Sequence, residues 1–337
     1  MVEWLLLKEN QKKDILNQVG AMTALPVNAI EKDWWVTLTL KACYASQYGK
    51  NLVFKGGTSL SKAWKLIERF SEDIDLVLDR EVLGYKGELN KTKIKHLRKD
   101  TSSLIAGTFR KVLQETIIDM GIDPALFEIH VAEGGGSDRD PQVLILNYKS
   151  VIEPSGNYLA DRVKIEIGCR SLLEPAHTMP IHSIIGETLP DLPFSGKPFN
   201  ILTVDPQRTM LEKMFLLHEE FSKIPDKVRN DRMSRHLYDL NRLMDTEYGF
   251  KAVTDIEMYK FIVNHRKKYT SINGLDYDNH LPQTINFIPP MNVSAAWERD
   301  YNQMQEMMIY GPAPTYPALI KRMEELKARL SQLVIKI

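Results

Sequence analysis

The residues of this chain best suited to chemistry lie in one run, Arg69-Phe70-Ser71-Glu72-Asp73-Ile74-Asp75-Leu76-Val77-Leu78. Ile74 to Leu78 alternate and are rich in branched side chains, which predicts a β-strand. Successive strand side chains point to opposite faces, so Asp73 and Asp75 share one face while Ile74 and Leu76 point into the core. Two residues along a strand is roughly 6.6 Å between backbones, close enough for both carboxylates to reach one metal ion. Magnesium takes hard oxygen ligands at about 2.1 Å and is commonly held by one or two carboxylates plus substrate phosphates. The competing reading is an exposed strand edge decorated with acids.

A third acid strengthens the metal reading. In Arg162-Val163-Lys164-Ile165-Glu166-Ile167 the apolar residues take one strand face, and Arg162, Lys164 and Glu166 take the other. If this strand lies beside Asp73–Asp75, Glu166 supplies a third carboxylate and a possible base. Three carboxylates around two metal ions suit in-line phosphoryl or nucleotidyl transfer. The alternative for Glu166 is an ion pair with Lys164 or Arg162 on a solvated face. Upstream, Lys55-Gly56-Gly57-Thr58-Ser59 sits between a short apolar run, Leu52-Val53-Phe54, and a helical pattern. That is where backbone N–H groups and the helix dipole favour an anion. Glycines let backbone approach a triphosphate, and Thr58 or Ser59 adds hydroxyl donors. The turn is neither a P-loop nor a dinucleotide fingerprint.

The elements that must position these groups follow from periodicity. Ile15 to Tyr48 is helical in pattern. After the glycines, Leu60, Ala63, Trp64 and Ile67 fall at i, i+3, i+4, i+7, one face of a helix. Residues 100–120 read as a further helix, and Gln142 to Tyr148 and Arg162 to Gly168 read as strands. Just before the first of these strands runs the polar loop 133–140, whose Gly134-Gly135-Gly136 could close over a substrate or serve as a plain hairpin connection. Residues 186–200 read as a connector. Asp205-Pro206 then starts a helix, with Asp as N-cap and Pro at the first helical position, and helix signals dominate from there. The fold class is therefore α/β (α+β), with an α/β domain over 1–200 and a helical domain over 201–337.

Composition excludes several classes. The 337 residues carry 44 Lys+Arg against 44 Asp+Glu, so nucleic-acid binding would have to use local patches such as 86–99, with six Lys/Arg against one Glu. Lys223, Lys227, Arg229, Arg232 and Arg235 form a second basic stretch, diluted by Asp226 and Asp231. Cys43 and Cys169 are too far apart in sequence for a disulfide framework and fit a reducing compartment. No run approaches the length of a membrane span, and the N-terminal segment lacks secretory-signal features. A cytoplasmic protein with no membrane partner is expected. There is no zinc spacing among the histidines and no serine-hydrolase elbow.

The combination of strand, Gly-Gly-Thr-Ser, helix and Ser-Glu-Asp-Ile-Asp resembles the nucleotidyltransferase superfamily that includes DNA polymerase β. It is more closely similar to the AbiEii/AbiGii toxin family. There one motif reads Gly-Gly-Thr-x-Leu, here Gly56 to Leu60, and another Arg-x-Ser-x-Asp-hydrophobic-Asp, here Arg69 to Asp75. Glu31-Lys32-Asp33-Trp34-Trp35 matches an upstream segment of these proteins. Glu212-Lys213 and Arg235-His236-Leu237-Tyr238-Asp239-Leu240 match two later motifs, with His236 standing where relatives have an Arg-Asp pair. The resemblance spans roughly residues 30–245 of the chain.

The resemblance implies a polymerase-β-like domain with a mixed sheet and an enzyme that moves a nucleotide from an NTP to an acceptor with Mg²⁺ or Mn²⁺. Taken with the strand reading of 162–167, it makes Asp73, Asp75 and Glu166 the metal set. It assigns Gly56, Gly57, Thr58, Ser59 and Lys62 to the nucleotide. It adds Lys213, for the triphosphate or leaving pyrophosphate, and Asp239, for metal or base positioning, to the catalytic set. The bland readings are a snorkelling Lys213 and an i,i+4 pair of Asp239 with Arg235. In relatives the acceptor can be the tRNA 3′ end, and an antitoxin restrains the toxin. The competing functions are an NTP-binding regulatory protein without turnover, and nucleotidyl or phosphoryl transfer to a protein acceptor.

Overall fold

The computed structural model describes residues 2–134, 140–153, 160–171, 173–270, 272 and 274–334. The chain divides into two units. The first comprises Met1–Trp64 and Phe70–Val204, the second Lys65–Arg69 and Asp205–Ile337.

The first unit opens with α1 (Val2–Leu6), α2 (Glu9–Thr23) and α3 (Val27–Ala45). The helical pattern of 15–48 is thus two helices. Ala24 takes a left-handed φ of 57° at the end of α2, and Pro26, which has no N–H to give, caps the start of α3. Then follow β1 (Leu52–Lys55), α4 (Gly56–Lys62), β2 (Asp73–Leu78), α5 (Lys91–Leu104) and α6 (Arg110–Asp119), the last two joined by a wider π-type turn at Ile105–Phe109. Strands β3 (Phe127–Val131), β4 (Gln142–Tyr148), β5 (Arg162–Gly168) and β6 (Ala176–Ile181), helix α7 (Ile184–Thr188) and β7 (Phe199–Val204) complete the unit. The loop at 133–140 falls largely outside the described residues.

The described strands form one mixed sheet in the order β3-β4-β5-β2-β1-β7-β6. β2 runs parallel to β5 and antiparallel to β1, and β1 runs parallel to β7. Strand β2 buries Ile74, Leu76, Val77 and Leu78 and leaves Asp73 and Asp75 half-buried. Strand β5 does the same, burying Val163, Ile165 and Ile167 and leaving Lys164 and Glu166 half-buried on the other face. Helix α3 covers this sheet. Its Trp35 stacks on Tyr148 of β4 with ring centres 5.0 Å apart.

Two expectations change. The stretch 186–200 is not only a connector, because its end enters β7. The helix after the glycines stops at Lys62, short of Ile67. Trp64 anchors to its own unit by donating Nε1–H to the Val204 carbonyl at 3.0 Å. Lys65 then turns with φ 54°, and residues 65–69 join the second unit.

The second unit holds α8 (Pro206–Phe221), α9 (Arg235–Leu243), α10 (Glu247–Ala252), α11 (Ile256–Tyr269), α12 (Met291–Met307) and α13 (Tyr316–Ser331). Asp205 caps α8 by accepting from the Gln207 amide at 2.8 Å. Met210, Met214, Leu217, Leu237, Leu240, Leu319 and Met323 are among its core residues. Glu68 and Arg69 run alongside 309–311: the Tyr310 and Gly311 amides donate to the Glu68 carbonyl.

Candidate active site

In the first unit, the neighbouring strands β2 and β5 bring the acids together, with β1 on the far side of β2. Asp75 stands opposite Glu166 of β5 on one side and Lys55 of β1 on the other, and Asp73 stands opposite Lys164. Adjacent strands lie roughly 4.8 Å apart, so Asp73, Asp75 and Glu166 form one acidic patch. Like charges directly opposite each other destabilise a sheet. Lys164 offsets that repulsion. It is ion-paired with Glu166. Burial works against its charge, but the carboxylates of Glu166, Asp73 and Asp75 outweigh burial and hold Lys164 above the ordinary lysine value.

The glycine turn is shaped to this patch. Gly56 has φ +81°, a conformation that favours glycine. A Cβ there would lie 2.1 Å from Asp75 Oδ2 and 2.8 Å from its Cγ. The Asp75 carboxylate therefore occupies the space that any side chain at 56 would need. Lys55 reaches Ser171 Oγ at 3.3 Å. Thr58 and Ser59 are fully buried, and their hydroxyls are used within the protein. Thr58 Oγ1 donates to the Asp73 carbonyl and lies 2.9 Å from Ser71 Oγ, and Ser59 Oγ donates to the Gly56 carbonyl at 2.9 Å. Lys62 is buried with its ammonium on Asp33.

Among the described residues no group of three or more His, Cys, Asp and Glu side chains forms a ready metal cage. The donor chemistry still fits a hard divalent cation, because magnesium needs only one or two protein carboxylates and completes its shell with water and phosphate. Asp73 and Asp75 are the carboxylates that would supply such oxygens, and the missing Cβ at Gly56 leaves room for Asp75. Glu166 sits in register beside Asp75, with its carboxylate engaged by Lys164. The strand adjacency expected for Glu166 is present, and so is its ion pair with Lys164.

In the second unit, Asp239 is completely buried and shared by two cations. Arg69 grips it with Nε to Oδ1 at 2.7 Å and Nη2 to Oδ2 at 2.8 Å, and Lys213 Nζ reaches Oδ2 at 2.9 Å. Lys213 Nζ also lies 3.4 Å from His236 Nδ1. Burial opposes ionisation of Asp239, but Arg69 and Lys213 outweigh it and hold the carboxyl well below the usual range. Burial, helped by the neighbouring Arg69, pushes Lys213 down despite Asp239. Burial and the Lys213 charge push His236 well below the ordinary histidine value. The sequence paired Asp239 with its motif but missed Arg69 as its partner. The only available signal was the fixed place of Arg69 four residues before Asp73.

The family model for the nucleotidyl transferase AbiEii toxin of type IV toxin–antitoxin systems matches residues 39–329. Among solved structures, MenT4, a nucleotidyltransferase toxin from Mycobacterium tuberculosis H37Rv, is similar at 17% identity over 96% of this chain and 99% of that one, with a TM-score of 0.47. No curated protein matches.

Proposed function

We propose that this chain, which belongs to the AbiEii family of nucleotidyltransferase toxins, transfers a nucleotide from an NTP to an RNA acceptor, the tRNA 3′ end, in a reaction that depends on a divalent cation. The observation that carries the reading is the packing of Asp75 against the Cβ-less face of Gly56, with Asp73 on the same strand face and Glu166 in register beside it. It couples a carboxylate pair to a backbone turn, the combination a metal-bridged triphosphate requires.

In this reading Asp73 and Asp75 hold Mg²⁺ or Mn²⁺. The cation, when bound, neutralises charge on the triphosphate and stabilises the leaving pyrophosphate. The Gly56–Gly57 backbone presents N–H groups to phosphate oxygens. Thr58 and Ser59 serve by fixing that backbone, since their hydroxyls are already committed to Asp73 and Gly56. Glu166 is the third acid; released from Lys164, it can accept a proton from the acceptor hydroxyl. Lys213 and Asp239 are proposed as further residues needed for turnover, Asp239 holding the Lys213 ammonium in place.

Helix α5 offers an acceptor-binding face. Lys91, Lys95 and Lys99 are exposed at i, i+4, i+8, while Ile94 and Leu97 are buried, so the helix presents a stripe of cations suited to phosphates. Such a transferase acts in the cytoplasm and answers to a cognate antitoxin. Among the described residues no helix is long and apolar enough to cross a membrane.

The test uses purified protein, total tRNA and Mg²⁺ with α- or γ-labelled NTPs in parallel. Label from the α position alone is expected on tRNA. Label from the γ position, or on protein instead of RNA, contradicts the reading.

A further inference from the structure

Helix α3 carries three consecutive charged residues, Glu31, Lys32 and Asp33, each almost fully buried. Consecutive helical side chains diverge by roughly 100°, so the three reach different elements. Glu31 accepts from Ser150 Oγ and from the Val151 amide at 2.9 Å. Lys32 pairs with Glu72, the residue just before Asp73, and donates to the Ala160 carbonyl at 2.9 Å. Asp33 takes the Lys62 ammonium on one oxygen and the Ile184 amide, at 2.7 Å, on the other.

The Lys32 and Asp33 contacts close a circuit. Asp33 holds Lys62 at the end of α4. One turn earlier on the same helix, Thr58 donates to the Asp73 carbonyl. Glu72, beside Asp73, returns to Lys32, next to Asp33. The circuit ties together the two segments that carry Gly56 and the acids Asp73 and Asp75. Buried ion pairs are poor sources of stability compared with apolar side chains of similar volume. What they supply here is direction: a charge on α3 tolerates little displacement of its partner in a dry interior.

We propose that Lys32 and Asp33 are positioning residues of the transferase centre, Lys32 acting through Glu72 on the strand of Asp73 and Asp75, and Asp33 acting through Lys62 on the helix of the glycine turn. The proposal rests on the transferase reading for its kinetic consequence and on the circuit alone for its structural one.

The test replaces one buried pair by apolar side chains, Lys32→Met with Glu72→Leu, and compares it with Lys32→Arg. A merely stabilising role predicts activity that follows folding. Positioning predicts a double variant that melts at or above the wild-type temperature, yet loses at least about tenfold in kcat with KM for NTP little changed. It also predicts faster amide exchange at residues 71–75 in the double variant, and near-wild-type kcat and exchange in Lys32→Arg. A folded double variant with wild-type kcat and unchanged exchange overturns the proposal. Should the apolar pair fail to fold, isosteric Asp33→Asn runs the same comparison through Lys62, read at residues 56–62. If the wild type itself transfers no nucleotide, the transferase reading fails separately, and unchanged exchange at 71–75 still decides against the circuit.

Discussion

Alanine at position 56 would meet two obstacles that glycine avoids, and they can be measured apart. The first is conformational. Gly56 has φ +81°, where an L side chain costs about 1–2 kcal/mol. The second is steric. The new Cβ would lie 2.1 Å from Asp75 Oδ2, whereas real Cβ contacts stay above 3.0 Å. The carboxylate must therefore retreat by 3.0 − 2.1, about 0.9 Å. A displacement of about 1 Å at a reacting centre costs on the order of 100-fold in rate. Gly84 provides the control, since it has φ +78° with nothing within 4 Å of its missing Cβ. Gly84→Ala should lose about 1–2 kcal/mol in urea unfolding and keep its rate of nucleotide transfer. Gly56→Ala should lose at least as much stability and, assayed while still folded, on the order of 100-fold in kcat. Equal rates in the two variants would refute the argument that the empty face of Gly56 exists to seat Asp75.

Three further outcomes follow from the charge clusters. Asp239→Asn removes the buried carboxylate that Arg69 and Lys213 share and should cost about 3–5 kcal/mol in chemical denaturation. Because the Asp239 carboxyl is held well below the usual range, its contribution is present above the unfolded value of about 3.9 and is lost as pH falls below it; the Asn variant should lack that acid-dependent loss. His218 is pushed down to about 4 by burial and by the neighbouring His280. Its neutral form supports the fold above the unfolded value of about 6.5, and that support is lost as pH falls from there to about 4; NMR titration of His218 near 6.5 would contradict the packing. Lys164→Met removes the counter-charge of the acidic patch, so its melting temperature in chelator should fall and Mg²⁺ should raise it more than in the wild type. An Mg²⁺ response equal to wild type would place the cation elsewhere.

The β2 and β5 alternations were legible because each strand has one apolar face and one polar face, a purely local pattern. Their adjacency was not, because pairing Asp75 with Glu166 joins residues whose neighbourhood only the folded sheet defines. The helix of the glycine turn seemed to run on to Ile67, which is buried but in the second unit; hydrophobic spacing records burial and not the element that achieves it. Strand β6 hid behind Pro180, which an edge strand tolerates. Thr58 and Ser59 were read as ligand donors from residue type, while the fold spends both hydroxyls on its own backbone. The Arg69–Asp239 pair spans 170 positions, beyond any periodicity argument. In Glu31-Lys32-Asp33 the spacing on a dense apolar helix gave no hint that all three charges point inward.

The most direct test of the central claim is the rate at which label passes from each α-labelled NTP to tRNA, with wild type and Asp73→Ala/Asp75→Ala assayed side by side at matched folding. Mg²⁺-dependent label is expected on tRNA with the wild type and none with the double variant. Equal labelling by both, or labelling by neither while the wild type binds NTP, would contradict it.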